Sequence, residues 1–197
     1  MKKLLIVSAL CSLLTFSGCG IAPIAEVYTV PVDPYHPVNE EDVRVGECTI
    51  SIGDEVSING QGAWFGKDDD ILISKGGTYT ISGNYTGGCI TVDTDDIVKL
   101  VFSNAAISND SGYAVVSNAD KLILCSDGES SLTGSGGDYG NAVFSYGSVI
   151  ISGAGSLNID GGIFSCGGIR FGRNVSTLCE ILELDSGEMI PGTLTIN

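Results

Sequence analysis

The segment that decides the fold reads NAVFSYGSVIISGAGSLNI and spans residues 141–159. It contains three short apolar runs, around Phe144, Ile150 and Leu157, separated by Gly, Ser and Asn residues. Short apolar runs bounded by such residues are typical of strands joined by tight turns. No long stretch of the chain shows the period of an amphipathic helix. The segment therefore predicts three consecutive short strands.

Similar runs recur along the chain in three series. Their reference residues are Ile107, Leu132, Leu157 and Leu182 in the first series, Ser117, Ser145 and Ser165 in the second, and Leu100, Leu122, Val149 and Ile169 in the third. The first series has a constant step of 25 residues. A repeat of three strands predicts an all-β fold, a short right-handed parallel β-helix of about four coils with three strands per coil. A β-sandwich also has closely spaced strands, but it predicts no constant register.

The alternation within the runs predicts which side chains form the core. We expect inward columns of Val92, Val116, Phe144 and Phe164 in one sheet, and of Leu100, Leu122, Val149 and Ile169 in another. Outward positions such as Ile123 and Ile150 are also apolar, so we expect one sheet to be covered by the Cys48–Phe65 segment, a neighbouring subunit or a flat ligand. Trp64 precedes the repeats and is expected to plug the end of the core.

Part of the chain resembles a known family. The stretches that carry the likeness are ILISKGGTYTISG (residues 71–83), ITVD (90–93), VKLVF (98–102), AIS (106–108) and the segment quoted first. They resemble exported bacterial carbohydrate-binding proteins built on a right-handed parallel β-helix similar to polysaccharide lyases. The resemblance covers about residues 70–172. It implies a non-catalytic binder of plant cell-wall or acidic polysaccharides, with calcium bound among the turns.

The N-terminus predicts export. Lys2 and Lys3 precede an apolar run from Leu4 to Phe16 that is short for a membrane span, as in a signal peptide. The sequence before Cys19 resembles a bacterial lipobox, which implies lipidation of Cys19 and a lipoprotein anchored at the cell surface or periplasmic face. Ordinary signal cleavage is the alternative. The predicted parts are a signal peptide (1–18), a Pro-rich tether (19–45), an N-terminal cap region (46–70) and the carbohydrate-binding β-helix domain (71–197).

Composition excludes several functions. The chain has 24 acidic against 9 basic residues, and a net charge of −15 makes nucleic acid an improbable partner. Its single histidine, His36, lies in the predicted tether, so the repeats lack the usual neutral-pH acid and base. The cysteines of the repeats form no C-x-x-C motif and are expected to be buried thiols. We therefore expect no enzyme activity.

Tyrosines in or beside the turns are the candidate sugar-binding residues. A pyranose face stacks on a flat apolar ring while its hydroxyl groups bond to nearby polar atoms. Tyrosines could equally pack as ordinary surface residues, and a sugar-binding role is the alternative to the core plug for Trp64. The candidates are Tyr85, Tyr113, Tyr139 and Tyr146.

Acidic residues of one turn are the candidate metal ligands. Asp93, Asp95 and Asp96 follow the first strand of one coil, and Asp120 occupies the same turn one coil later. Stacked coils would bring these carboxylates together, and Ca²⁺ accepts several carboxylate oxygens in loose geometry. The alternative is that Asp is common in turns because its side chain caps them.

Two functions from different classes follow. The first is a membrane-anchored protein that binds polysaccharide without catalysis, with Ca²⁺ as its candidate cofactor. The second is a structural or adhesive surface protein that makes protein contacts. Its apolar sheet face, or an open coil end, would then support self-association.

Overall fold

The protein is built from strands that stack in coils. A computed structural model describes residues 47–66, 69–172, 175, 179 and 181–196, and every regular element among them is a strand. The predicted signal peptide, Cys19 and the tether lie outside the described residues. The strands are β1 (Glu47–Ile52), β2 (Val56–Asn59), β3 (Ala63–Phe65), β4 (Ile71–Ile73), β5 (Gly77–Thr86), β6 (Ile90–Val92), β7 (Ile97–Asn109), β8 (Val115–Ser117), β9 (Lys121–Asp127), β10 (Glu129–Gly134), β11 (Val143–Ser145), β12 (Ser148–Gly153), β13 (Ser156–Asp160), β14 (Ile163–Ser165), β15 (Ile169–Phe171), β16 (Leu182–Leu184), β17 (Gly187–Ile190) and β18 (Thr193–Ile196).

Successive coils place their strands on three faces. The first face pairs β4, β6, β8, β11 and β14 in parallel. The second face pairs the start of β5 with the start of β7, and then β9, β12 and β15. The third face pairs the ends of β5 and β7 with β10 and β13. The structure is therefore a β-solenoid, and the predicted all-β fold of parallel stacked coils is confirmed.

The corner between the second and third faces depends on glycine in the first coil. The register of β5 against β7 shifts between Ile81 and Gly83, where the strand bends. Gly83 has a φ of 94°, and a Cβ atom there would collide with the carbonyl oxygen of Ile52. Only glycine combines this backbone conformation with so close an approach.

Inward side chains of the third face form a continuous buried column. Register partners place Tyr85, Ile107, Leu132, Ile159 and Leu194 over one another. The predicted pairing of Ile107 with Leu132 is confirmed.

The predicted spine fails after Leu132. Leu157 pairs with Ser130 rather than with Leu132, and Leu182 lies in β16 next to β17 of the first face. The turn between β10 and β11 is longer than the preceding ones, so the true partner of Leu132 is Ile159. A constant spacing in sequence is thus not required for stacking, because the turns absorb inserted residues.

On the first face Val92 is inward and fully buried as predicted, but the predicted orientation of the next three strands was wrong by one residue. Val115, Val143 and Ile163 are fully buried, although we expected them to point outward. Val116, Phe144 and Phe164 occupy the alternate positions and therefore point outward. A shift of one residue exchanges the two sides of a strand.

Buried serines explain this error. Ser117, Ser145 and Ser165 are register partners, as predicted, and all three are fully buried. The Ser165 hydroxyl lies 2.9 Å from the Gly147 carbonyl oxygen and 3.0 Å from that of Gly168, to which it can donate. The Ser117 hydroxyl accepts from the Ala119 backbone N–H at 3.1 Å, so hydrogen bonds satisfy these two inward serines, whereas the Ser145 hydroxyl has no partner among the described residues.

On the second face, the predicted column is wrong only at Leu100, which pairs with Leu124 instead of Leu122. Leu122, Val149 and Ile169 form a column as predicted, but Val98 rather than Leu100 is the partner of Leu122.

The apolar outward positions of the second face are covered. Ile123 and Ile150 are register partners on the opposite side from the core residues Leu122 and Val149. They are only 1% and 8% exposed, which confirms that these two positions are covered, whereas their register partner Arg170 is exposed.

Antiparallel strands occupy both ends of the coils. At the N-terminal end β3 pairs with β4, and β2 pairs with β1, which itself adds to β5 in parallel. At the C-terminal end β17 pairs with β14 and β18 with β13. Strands β3 and β17 cap the first face, β18 caps the third face, and β1 with β2 closes the N-terminal end of the second face. Within the described ranges, no helix has the length and hydropathy needed to cross a membrane.

The cysteines only partly follow the expectation of buried thiols. Cys48 is buried, Cys89, Cys125 and Cys179 are partly buried, and Cys166 is exposed. Cys166 directly follows β14, and its backbone N–H donates to the Ser145 carbonyl oxygen at 2.9 Å. It belongs to the turn and not to the core.

Candidate functional site

One row of side chains runs along the outside of the first face. Register partners on β3, β4, β6, β8, β11 and β14 bring neighbouring coils into alignment there. The row, which we name the outer column, contains Trp64, Leu72, Thr91, Val116, Phe144 and Phe164. At a strand spacing of about 4.8 Å, its five steps extend over about 24 Å along the stacking axis.

Aromatic rings gather at the C-terminal end of the outer column. Phe144 and Phe164 stack with ring centroids 5.6 Å apart, and Tyr139 stacks on Phe164 at 6.4 Å with ring planes 4° from parallel. Tyr113 and Tyr146 contact Phe144 at centroid distances of 5.5 and 4.8 Å. We name Tyr113, Tyr139, Phe144, Tyr146 and Phe164 the aromatic cluster.

The cluster presents ring surface to solvent. Tyr139 and Tyr146 are 62% and 61% exposed, whereas Phe164 is only 6% exposed. Tyr139 stacks on Phe164, which fixes the orientation of the tyrosine ring while most of its side chain remains accessible. Aromatic side chains that form one contiguous exposed patch are typical of interaction surfaces.

Local turns hold the tyrosines in place. The ring of Tyr113 lies against Gly136 and Gly137, where an added Cβ atom would overlap it. The Asn109 side chain also fixes this segment, because its Nδ2 donates to the Tyr113 carbonyl oxygen at 3.0 Å. Burial raises the pKa of the Tyr113 hydroxyl, and the nearby Asp138 and Tyr146 raise it further. Tyr113 therefore stays neutral near pH 7 and can both donate and accept hydrogen bonds.

A polar row accompanies the outer column. The residue that follows a first-face strand donates its backbone N–H to the last carbonyl oxygen of the strand in the preceding coil. These hydrogen bonds are 2.7–2.9 Å long and run from Asp93 to Ile73, Asn118 to Val92, Tyr146 to Ser117 and Cys166 to Ser145. Within this row, Asn118 Nδ2 donates to Asp93 Oδ1 at 3.0 Å. Asp93, Asn118, Tyr146 and Cys166 are all exposed. We name these residues the polar rim.

The structure brings three of the four predicted tyrosines together. Tyr113, Tyr139 and Tyr146 all belong to the aromatic cluster. Tyr85 instead lies at an inward position of β5, is 8% exposed and packs against Phe65 at 6.3 Å. Its burial gives no support to a role in sugar binding.

Sequence reasoning missed three aromatic residues that lie on the outside of this face. Phe144 and Phe164 were expected in the core, and Trp64 was expected to plug it. Trp64 is in fact 46% exposed and pairs with Leu72 on the outside of the face. The signal that could have located the phenylalanines is the serine that follows each of them, because an inward serine forces its neighbour outward.

The predicted metal ligands lie in stacked turns but do not converge. Asp120 donates its backbone N–H to the Asp95 carbonyl oxygen at 3.3 Å, which aligns the turns. Asp96 Oδ2 accepts from Gly76 N and Thr94 Oγ1, each at 3.2 Å, while Asp93 accepts from Asn118. Within the described ranges, no three His, Cys, Asp or Glu residues are grouped as metal ligands. Binding of Ca²⁺ at this turn remains a prediction.

A polar groove lies on the outside of the third face. Asn84, Ala106, Ser131 and Asn158 are successive register partners on its floor. Its lining residues are Asn84, Asn104, Ala105, Ala106, Glu129, Ser130, Ser131, Ser156 and Asn158, none of them aromatic. This groove offers hydrogen bonds but no ring on which a sugar could stack.

Comparison with known proteins gives one family. No curated protein and no solved structure matches the chain. The family model described as carbohydrate-binding domain-containing protein matches residues 67–172, which is more than half of the 197 residues. The matched range contains the four coils from β4 to β13 and the whole aromatic cluster. The chain therefore belongs to the family of carbohydrate-binding domain-containing proteins.

Proposed function

We propose that this protein binds polysaccharide without transforming it, and that the aromatic cluster is its binding surface. The observation that carries the proposal is the set of stacked rings that leaves Tyr139 and Tyr146 exposed on the outside of the first face. Aromatic rings attract the C–H faces of sugars through burial of apolar surface and through their polarised π-systems. Membership of the carbohydrate-binding family supports the same ligand class.

The polar rim complements the rings. A sugar that stacks on the cluster directs its hydroxyl groups to the side, where the Asn118 amide, the Asp93 carboxylate and the tyrosine hydroxyls can bond to them. Sugar sites of this kind combine apolar contact with a few polar atoms that fix orientation. The site therefore has both components that recognition of a sugar requires.

Binding without catalysis is part of the proposal. The acids beside the cluster, Asp93 and Asp138, have none of the environments that prepare a general acid. Asp93 is exposed and accepts a hydrogen bond from an amide, and Asp138 is exposed in a turn. Hydrolysis of a glycosidic bond needs a carboxyl group kept protonated near neutral pH beside a second carboxylate.

We also propose an exported lipoprotein, anchored through Cys19 at the surface or periplasmic face of a bacterial membrane. The basic n-region, the short apolar run and the small residues before Cys19 support this localisation. A Pro-rich tether would then hold the binding face away from the membrane. Metabolic labelling with a fatty-acid analogue tests it, since Cys19→Ala should abolish incorporation.

Polysaccharide retention tests the binding proposal. Native gels cast with cellulosic, pectic or other polysaccharides should retard the protein in at least one case. Tyr146→Ala should lose most of the retardation, whereas Phe65→Leu should keep it, because Phe65 packs on Tyr85 outside the cluster. Equal retardation of Tyr146→Ala and the parent would contradict the proposal.

The same gels with and without a chelator test the calcium prediction. Retention that requires Ca²⁺ in the parent, and that is lost even with Ca²⁺ present in an Asp96→Ala, Asp120→Ala variant, would support a site in the acidic turn. Retention that is insensitive to the chelator would show that sugar binding does not use the metal.

The alternative function is a structural or adhesive protein that self-associates. Exposed rings such as Tyr139 and Tyr146 could also contact another chain. Sedimentation distinguishes the two functions. Assembly that grows with protein concentration, together with no binding to any polysaccharide, would favour adhesion.

A further inference from the structure

We infer that the ligand is an extended chain of uncharged sugars that lies along the stacking axis, from the aromatic cluster to Trp64. This inference rests on the proposed function and assigns Trp64 as the far end of the same binding surface. The register that joins Phe144 to Val116, Thr91, Leu72 and Trp64 is continuous, because each pair is formed by neighbouring strands.

The middle of the outer column is accessible. Leu72, Thr91 and Val116 are partly exposed, whereas the inward residues that flank them on the same strands are fully buried. A ligand can therefore follow the column without a change in the backbone. The length of about 24 Å suits a chain of several sugar rings and exceeds what a single terminal sugar could use.

Trp64 provides a second aromatic anchor. Its side chain is 46% exposed, and its neighbours Ala63 and Phe65 occupy the other side of β3. A tryptophan at a solvent-facing position of a short end strand contributes little to the core. It does place a large flat ring in line with the aromatic cluster.

The polar rim follows the same axis. Asp93, Asn118 and Tyr146 come from three successive coils, so polar atoms recur at the same spacing as the apolar positions beside them. A chain of sugars repeats its apolar faces and its hydroxyl groups in the same way. The two parallel rows therefore match a repeating ligand better than a compact one.

Charge favours an uncharged ligand. In the described part of the outer column and its rim, the one acidic side chain is Asp93, and no Lys or Arg is present. On the opposite side of the column, Asp70 and Asp138 add negative charge near Cys89 and Tyr113. A polyuronate would meet these carboxylates with no Lys or Arg in the outer column or the polar rim to offset them, which costs affinity.

The test uses cello-oligosaccharides from the disaccharide to the hexasaccharide, with oligogalacturonides of matched length as the charged series. For the parent protein, affinity should increase with length in the uncharged series. Trp64→Ala should bind the disaccharide as the parent does, but should weaken hexasaccharide binding by about tenfold, as loss of an aromatic contact typically does. Trp64→Leu, which keeps apolar bulk in the end strand, should show the same loss.

Fluorescence gives an independent measurement, because Trp64 is the single tryptophan of the chain. Saturating hexasaccharide should shift its emission to shorter wavelength. The inference is overturned by an unchanged emission, by Trp64 variants that bind every length normally, or by tighter binding of the charged series. Tyr146→Ala separates the two claims. If it still weakens both lengths, the proposed site stands without its extension, and if it has no effect, the proposed site fails as well.

Discussion

Phe144 and Phe164 occupy the same position in adjacent coils and stack with their ring planes 3° from parallel. The stacking follows from the fold, since strands β11 and β14 pair in register and point their central side chains in the same direction. Tyr139 extends the stack over Phe164. The strand register that aligns the inward residues of the core therefore also aligns the outward aromatic rings on the surface.

Two buried tyrosines should respond oppositely to loss of the hydroxyl group. Tyr79 donates to the Lys75 carbonyl oxygen at 2.7 Å, whereas the buried Tyr85 hydroxyl has no hydrogen-bond partner. Tyr79→Phe should lower the free energy of unfolding by about 1 kcal/mol, because it removes this hydrogen bond. Tyr85→Phe should leave that free energy unchanged or raise it. Urea denaturation measures both, and a larger loss in Tyr85→Phe would contradict the account.

Stability should decline in alkaline solution through Tyr85. Burial, followed by the charges of Asp70 and Asp69, raises the pKa of Tyr85 from 10.0 to about 12. Below pH 10 the phenol is protonated in both states, and above it the unfolded chain ionises first. The contribution to stability is therefore present below pH 10 and lost as the pH rises to about 12.

Melting curves across that pH range check this prediction. Tyr85→Phe should show a smaller decline than the parent, although Tyr79 and Tyr113, whose pKa values are also raised by burial, leave part of it. Identical pH profiles for variant and parent would refute the role of Tyr85.

Two glycines of β5 and its following turn should differ in their tolerance of alanine. At Gly83 a methyl group would collide with the Ile52 carbonyl oxygen, and φ is 94°. Gly87 has a similar φ of 88°, but nothing lies within 4 Å of its added Cβ. Gly87→Ala should cost about 1 kcal/mol for the backbone alone. Gly83→Ala should cost clearly more, because β1 must also move away from β5, and equal denaturation midpoints would contradict this.

Thiol labelling should distinguish Cys166 from Cys89. Cys166 is exposed, whereas burial raises the pKa of the Cys89 thiol from 9.0 to about 11. The thiolate is the reactive form, so iodoacetamide near neutral pH should modify Cys166 first and Cys89 mainly after unfolding. Peptide mass spectrometry measures the two rates. Faster labelling of Cys89 in the folded protein would show that its environment is described incorrectly.

The sequence predicts the fold class well because turns and strands alternate in every coil. The alignment of Ser117, Ser145 and Ser165 is confirmed, since it lies in strands of equal length on one face. The alignment of Leu132 with Leu157 is wrong, because the longer turn before β11 displaces the register. Local pattern thus predicts the elements better than it predicts their alignment between coils.

The site was predicted less completely than the fold. Tyr113, Tyr139 and Tyr146 were found because tyrosine in a turn is visible in sequence. Phe144 was assigned to the core because the buried Ser145 beside it breaks the usual rule that apolar residues point inward. Tyr85 was expected at the surface, but alternation along β5 places it inward. Trp64 was expected in the core, but its pairing with Leu72 places it on the outside.

The most direct test is an NMR titration that follows the aromatic ring protons while an oligosaccharide or a soluble polysaccharide that the protein binds is added. The account predicts that Tyr139, Tyr146 and Phe144 shift together, while amide groups of Asn84 and Asn158 in the polar groove remain unchanged. Shifts confined to the polar groove, with the aromatic cluster unaffected, would contradict the claim that sugars bind to the outside of the first face.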